Sequence, residues 1–182
     1  MRKLMLLFLV VGLLAFPVMA QDYPRIEVFA GGEFMRLGGG GTDVNMPGGD
    51  VSATVNFKDW LGATADFSGA YKIITVNNVN VNAKVYSYAG GPVVSANSAG
   101  RLTPFVHALF GQARVTGSAG VGGVPASGSA NGFTMLMGGG VDFKVKRLIA
   151  VRLFQADWVY YRISGETESQ NGRVSAGVVL RF

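Results

Sequence analysis

The feature that most constrains this chain is a two-residue periodicity that recurs from Arg25 to the last residue. One parity at a time is apolar. It runs through Ile26, Val28, Ala30 and Phe34, then through Val51, Ala53, Val55 and Phe57. Across the short break at Lys58 and Asp59 it continues with Leu61, Ala63, Ala65 and Phe67. It returns at Tyr86, Tyr88, Pro92 and Val94, at Val106, Ala108 and Phe110, and at Phe133, Met135, Met137, Val141 and Phe143. Ile149, Val151 and Leu153 follow, and the series ends on Val174, Ala176, Val178, Leu180 and Phe182. Successive side chains of a β-strand point to opposite faces, so this alternation reads as strand. It predicts an all-β chain of eight strands, about ten residues each.

The connections alternate in length. Those after the second, fourth and sixth strands are brief or moderate, at 58–59, 95–101 and 145–147. Those after the first, third, fifth and seventh are long and rich in glycine or polar residues, at 37–50, 72–83, 116–131 and 164–171. Short turns on one rim and long loops on the other are the arrangement of an up-and-down transmembrane β-barrel, with the turns periplasmic and the loops external.

Charge decides which face points where. The parity opposite the apolar one carries Glu27, Glu33, Asp66, Asp142, Lys144, Arg152, Arg173 and Arg181, interleaved with glycines such as Gly31, Gly62, Gly111 and Gly138. A water-soluble barrel of the lipocalin type would be apolar inside. Here the apolar parity is too aromatic for a narrow interior, and the polar one too rich in glycine for a wet exterior. The charges are therefore expected inside and the apolar parity against lipid. Aromatic residues fall into two predicted girdles. Phe57, Trp60, Phe143 and Phe182 lie near the periplasmic rim; Phe34, Tyr71, Phe133, Trp158, Tyr160 and Tyr161 lie near the outer one. In the seventh strand the register slips after Leu153, so a β-bulge is expected near Phe154, bringing Asp157 to the same inner face as Arg152.

The first twenty residues have the form of a secretory signal peptide. Arg2 and Lys3 precede an apolar run from Leu4 to Phe16, with small residues at Val18 and Ala20. The run is shorter than the roughly 20 residues a membrane helix needs. Cleavage is expected after Ala20, leaving 21–182 as one barrel domain. Removing Arg2 and Lys3 leaves a mild, dispersed excess of basic residues, which excludes a nucleic-acid footprint. With no cysteine and one histidine, neither disulfides nor a zinc centre is expected.

The run Val174, Ala176, Val178, Leu180 and Phe182 resembles the C-terminal assembly signal of bacterial outer-membrane barrels. The chain as a whole resembles the small eight-stranded barrels of the OmpA/OmpX-like superfamily. That resemblance implies the cell outer membrane of a Gram-negative-type envelope. The implied partners are outer-membrane lipid, the barrel assembly machinery and, in transit, periplasmic chaperones. No peptidoglycan-binding domain is expected after the barrel, and the sequence names no extracellular partner.

The candidate site is the interior charge set, five acids (Glu27, Glu33, Asp66, Asp142, Asp157) and four bases (Lys144, Arg152, Arg173, Arg181). Pairing of the first and last strands would bring Glu27 to Arg181 and Glu33 to Arg173. Buried charges must be paired, so a nearly neutral, salt-bridged plug is expected, with an ion path as the alternative. His107, in "PFVHALFG", has no adjacent serine and is expected inward and hydrogen-bonded, not catalytic. The glycine runs at 38–41 and 117–123 neither open a helix nor precede Lys-Ser/Thr, so they read as surface loops and not phosphate cradles. The glycines at 138–140 are expected to permit close packing within a strand. Together these readings predict a non-enzymatic barrel with a structural or surface-interaction role and no cofactor. A narrow solute conduit is the second reading, and a lipid-acting enzyme the third.

Overall fold

In a computed structural model, which describes residues 23–39, 42–76, 79–96, 100–121, 124–163 and 166–182, eight antiparallel strands close on themselves in chain order. They are β1 (Ile26–Gly39), β2 (Thr42–Asn56), β3 (Leu61–Val76), β4 (Val79–Ser95), β5 (Leu102–Val121), β6 (Val124–Lys146), β7 (Ile149–Ile163) and β8 (Glu166–Arg181). The signal segment and its cleavage point lie outside the described residues.

Alternation sets the two faces throughout. Phe34, Val51, Val55, Phe67, Tyr88, Val106, Phe110, Val174 and Val178 are exposed on the outside, while Phe29, Asp66, Ser68, Leu109, Arg173 and Val179 are buried inside. An outward apolar band with charge inside is the inverse of a soluble protein, and is the partition lipid imposes.

The strands are longer than expected. They run from 14 residues in β1 to 23 in β6, against the roughly 9–11 that a tilted strand needs to cross a bilayer. In the segments at 37–50, 72–83, 116–131 and 164–171, expected as long loops, the described residues are instead paired strand. Gly39 pairs with Thr42, Val76 with Val79, Val121 with Val124, and Ile163 with Glu166. The physical reason is that a ladder, once in register, satisfies one backbone donor and acceptor per added residue, which polar side chains do not oppose in water. The external parts are therefore four ribbons that continue the barrel wall.

At the seam, β1 and β8 pair from Glu27–Arg181 to Arg36–Gly172. The closing bonds involve the final residue: Phe182 N–H donates to Ile26 O at 2.8 Å, and Ile26 N–H to Phe182 O at 3.1 Å. Phe182, Leu180, Val178 and Val174 all present their side chains outward.

β7 carries the expected irregularity. Val141 faces Phe154 and Asp142 faces Arg152, so Leu153 and Phe154 share one position, both exposed. Beyond this bulge Gln155, Asp157, Val159 and Tyr161 point inward. Tyr161, expected in the outer girdle, is thus an interior residue whose hydroxyl donates to Met35 Sδ at 3.6 Å. The outer girdle consists of Phe34, Tyr71, Phe133, Trp158 and half-buried Tyr160.

Phe182→Ala keeps the backbone bonds of the seam but removes the side chain. It is expected to refold in detergent like the wild type, with the same heat-dependent gel shift, yet to accumulate less in cells. Deletion of Phe182, which removes the bonds as well, is expected to lower the unfolding temperature of the refolded protein too. Equal cellular levels of Phe182→Ala and wild type would remove the side chain from the assembly signal.

Candidate functional site

The lumen is filled in layers, each set by one inward step along the strands. Nearest the periplasm, Arg181 Nη2 lies 3.3 Å from Asp142 Oδ2, and its Nε lies 3.6 Å from Glu27 Oε1. Arg152 donates from Nε to Asp142 Oδ1 at 2.8 Å and from Nη1 to Gln155 Oε1 at 2.7 Å. Its guanidinium is sandwiched between the rings of Phe29 and Phe105, at 4.4 and 4.3 Å from their centroids. Such cation–π contacts strengthen when the cation is withdrawn from water.

Gln155 links this layer to the next, donating to Asp157 Oδ2 at 2.7 Å. Arg173 sits at its centre. It donates from Nη1 and Nη2 to the two oxygens of Asp66 at 2.9 and 3.1 Å, a bidentate pair, and from Nε to Asp157 Oδ2 at 2.9 Å. His107 Nε2 shares a hydrogen bond with Asp157 Oδ1 at 2.9 Å. Gly138 pairs with both His107 and Asp157 across the sheet, and a Cβ there would strike Asp157 Oδ1 and Ala156 O. The absent side chain makes room for the contact.

The expected set is met in part. Glu33 Oε2 forms the expected ion pair with Arg173 Nη1 at 3.7 Å, beyond hydrogen-bond length because Asp66 and Asp157 take the guanidinium's donors. Lys144 is half-buried, and none of the ion pairs among the described residues includes it. Asp50, which the sequence reading assigned to a loop, is buried 3.9 Å from Arg173 Nη1. The expected near-neutral balance becomes an acid excess. Glu27, Glu33, Asp50, Asp66, Asp142 and Asp157 surround three arginines, Arg152, Arg173 and Arg181.

Above Arg173 the lumen becomes apolar. Met35, Met46, Leu109, Leu136, Val159 and Tyr161 form a buried cluster one or two inward positions beyond Glu33, Asp50, His107, Gly138 and Asp157, toward the outer rim. Leu37, Val44, Ala83 and Val115 pack against it. This stopper was not expected, since the interior was read as charges interleaved with glycines. Below Arg173 a cavity of about 20 Å³ is lined by Asp66, Thr64, Ser52, Thr103, His107 and Asp142. A water molecule needs about 10–15 Å³ of such space, so there is room for hydration and little else. Among the described residues no group of three or more His, Asp or Glu side chains is placed to hold a metal ion. No hydroxyl among them hydrogen-bonds to His107.

Arg173→Ala would leave Asp66 and Asp157 buried without their guanidinium. It is expected to destabilise the barrel by about 3–5 kcal/mol, the cost of breaking a buried ion pair by removing one partner. Arg173→Lys should fall between, because an ammonium cannot fork to two carboxylates. Urea unfolding in detergent micelles checks both, and unchanged stability of Arg173→Ala would remove the pairing role.

No protein-family model matches the chain, and no curated protein sequence does. Solved structures do. Ail, the attachment invasion locus protein of Yersinia pestis, superposes with a TM-score of 0.67 at 18% identity, over 88% of this chain and 99% of Ail. Ail has also been solved in complex with the heparin analogue sucrose octasulfate. Neisserial surface protein A gives 0.63 at 18% identity, over 89% of this chain and all of that one. The N-terminal barrel domain of Pseudomonas aeruginosa OprF gives 0.52 at 10% identity, over 88% of this chain and all of that domain. The chain has the fold of these small eight-stranded outer-membrane barrels, and its apolar exterior is that of a barrel that spans a membrane.

Proposed function

We infer that the protein is a non-enzymatic outer-membrane anchor whose four external ribbons carry interactions at the cell surface. The observation that supports this most is the apolar stopper. Met35, Met46, Leu109, Leu136 and Val159 are buried and mutually packed between the charged layers and the outer mouth. Ions crossing such a segment would lose their hydration among packed apolar side chains, with only the Tyr161 hydroxyl and the neighbouring Thr134 and Asn171 as polar groups and no charge to replace it. This argues against the conduit reading. The placement of His107 argues against hydrolysis, since its Nε2 is occupied by Asp157. With lumen and catalysis set aside, the part that faces the environment is the ribbons. The names of Ail and Neisserial surface protein A, an attachment protein and a surface protein, lend this reading support. The assembly machinery and periplasmic chaperones are the partners proposed in transit.

Purified wild-type barrel in a planar bilayer is expected to show no discrete conductance steps, and stable openings would overturn the reading. The β5–β6 ribbon can be cut back by replacing 116–129 with Asn-Gly, between Val115 and Ala130, which already pair. This variant is expected to keep the heat-dependent gel shift while cells carrying it lose the adhesion to sulfated-polysaccharide surfaces that wild type confers. Equal adhesion at equal barrel levels would leave the protein a structural element only.

A further inference from the structure

The acid excess of the lumen is confined to one layer. Nearest the periplasm, Glu27 and Asp142 stand with Arg152 and Arg181, two acids to two bases. Around Arg173 stand four carboxylates, Glu33, Asp50, Asp66 and Asp157. The one other base in the described ion pairs of this layer is His107, on Asp157. The guanidinium directs its hydrogen bonds to Asp66 and Asp157. Glu33 and Asp50 stay 3.7 and 3.9 Å from Nη1, and none of their four oxygens accepts a hydrogen bond from the described residues. Both side chains are fully buried. A carboxylate in that position is strongly destabilising unless a cation meets it.

A third group points to what meets them. Ser175 pairs with Glu33 across the β1–β8 seam, is 2% exposed, and its Oγ also lacks a partner among the described residues. Gly48 pairs with Glu33 from the other side. A Cβ at Gly48 would come within 2.8 Å of Glu33 Oε1. Glycine there leaves room beside the carboxylate, one inward step above Asp50. Met35 and Met46, the next inward residues beyond Glu33 and Gly48, cover this room from the outer side.

We propose that Glu33, Asp50 and Ser175 hold a calcium ion inside the barrel. The five unpartnered atoms they contribute are all oxygen, the donor set of a hard cation and not of zinc or copper. Two carboxylates outside the hydrogen bonds of Arg173 match the charge of one divalent ion. Calcium takes roughly 6–8 oxygens, so water completes the shell. Magnesium, which keeps several waters in a strict octahedron, suits a closed lumen less well. The three ligands come from β1, β2 and β8, so the ion ties together the strands on both sides of the closing seam. With the stopper above it and the arginine layers below, it enters before the seam closes, and binding becomes part of folding. The site is independent of what the ribbons contact.

The test refolds the full barrel from urea into a zwitterionic detergent, in metal-free buffer with added calcium, added magnesium or neither. Gel filtration through chelator strips loosely held ions, and elemental analysis counts what remains. One calcium per chain is expected, with a higher unfolding temperature than the ion-free barrel has. Glu33→Gln and Asp50→Asn, each close to the native shape, should lose the ion and its stabilisation. Without calcium both should unfold at or above the wild-type temperature, because each removes a charge that Arg173 alone does not balance. Asp59→Asn, at an exposed periplasmic turn, should keep the ion. If wild type retains no calcium and its unfolding temperature ignores calcium, Glu33 and Asp50 carry protons and the proposal falls. Calcium retained equally by all three variants would place it elsewhere and overturn the site. Magnesium retained as firmly as calcium would overturn the choice of ion. The wild-type readouts need no variant to fold.

Discussion

Everything in this molecule follows from the intolerance of hydrocarbon for an unpaired peptide group. A sheet can cross a bilayer only if it has no edge, and here the last residue supplies the bonds that remove it, between Phe182 and Ile26. Closure with eight strands leaves a bore only wide enough for side chains. The interior therefore has to be a packed core made from whichever parity does not face lipid. That parity carries the charges, which must then find partners among themselves.

They do so through a chain of contacts and not by isolated pairs. From Asp66 through Arg173, Asp157, Gln155, Arg152 and Asp142 to Arg181, each group is hydrogen-bonded to the next. A neutral amide, Gln155, joins two charged layers that would otherwise stand apart. The β7 bulge is what makes this possible. Without the extra residue at Leu153–Phe154, Gln155 and Asp157 would face lipid. One local irregularity thus supplies both the bridge and the acceptor for His107.

Much of this was legible in the chain. Face assignment, strand number and the bulge near Phe154 are local consequences of a period of two, because parity survives errors in strand ends. Strand length was not legible, because most of the ribbon sequence is glycine or polar and carries no apolar parity; the alternation of Val79, Val81 and Ala83 is an exception that was read as loop. One signal was available: Asn77-Asn78 between Val76 and Val79, and the Gly-Gly pairs at 40–41 and 122–123, are residue types that two-residue hairpins favour. Asp50 was lost to the same misreading, since a residue assigned to a loop has no parity. The apolar stopper was hidden for another reason. Met35, Met46 and Leu136 share a parity with charged neighbours, and alternation tells which face a residue takes but not how deep in the lumen it lies. The partners of Arg173 depend on which strands face each other across the bore, a three-dimensional relation that Asp66 and Arg173, far apart in sequence, do not announce.

The stopper also bears on how many copies a cell can carry. An open pore of the same family of shapes adds permeability with every molecule inserted, so its number is bounded by what the envelope can leak. If the barrel is closed as proposed by Met35, Met46, Leu109, Leu136 and Val159, each copy adds surface without permeability. Its density in the membrane is then not bounded by leakage.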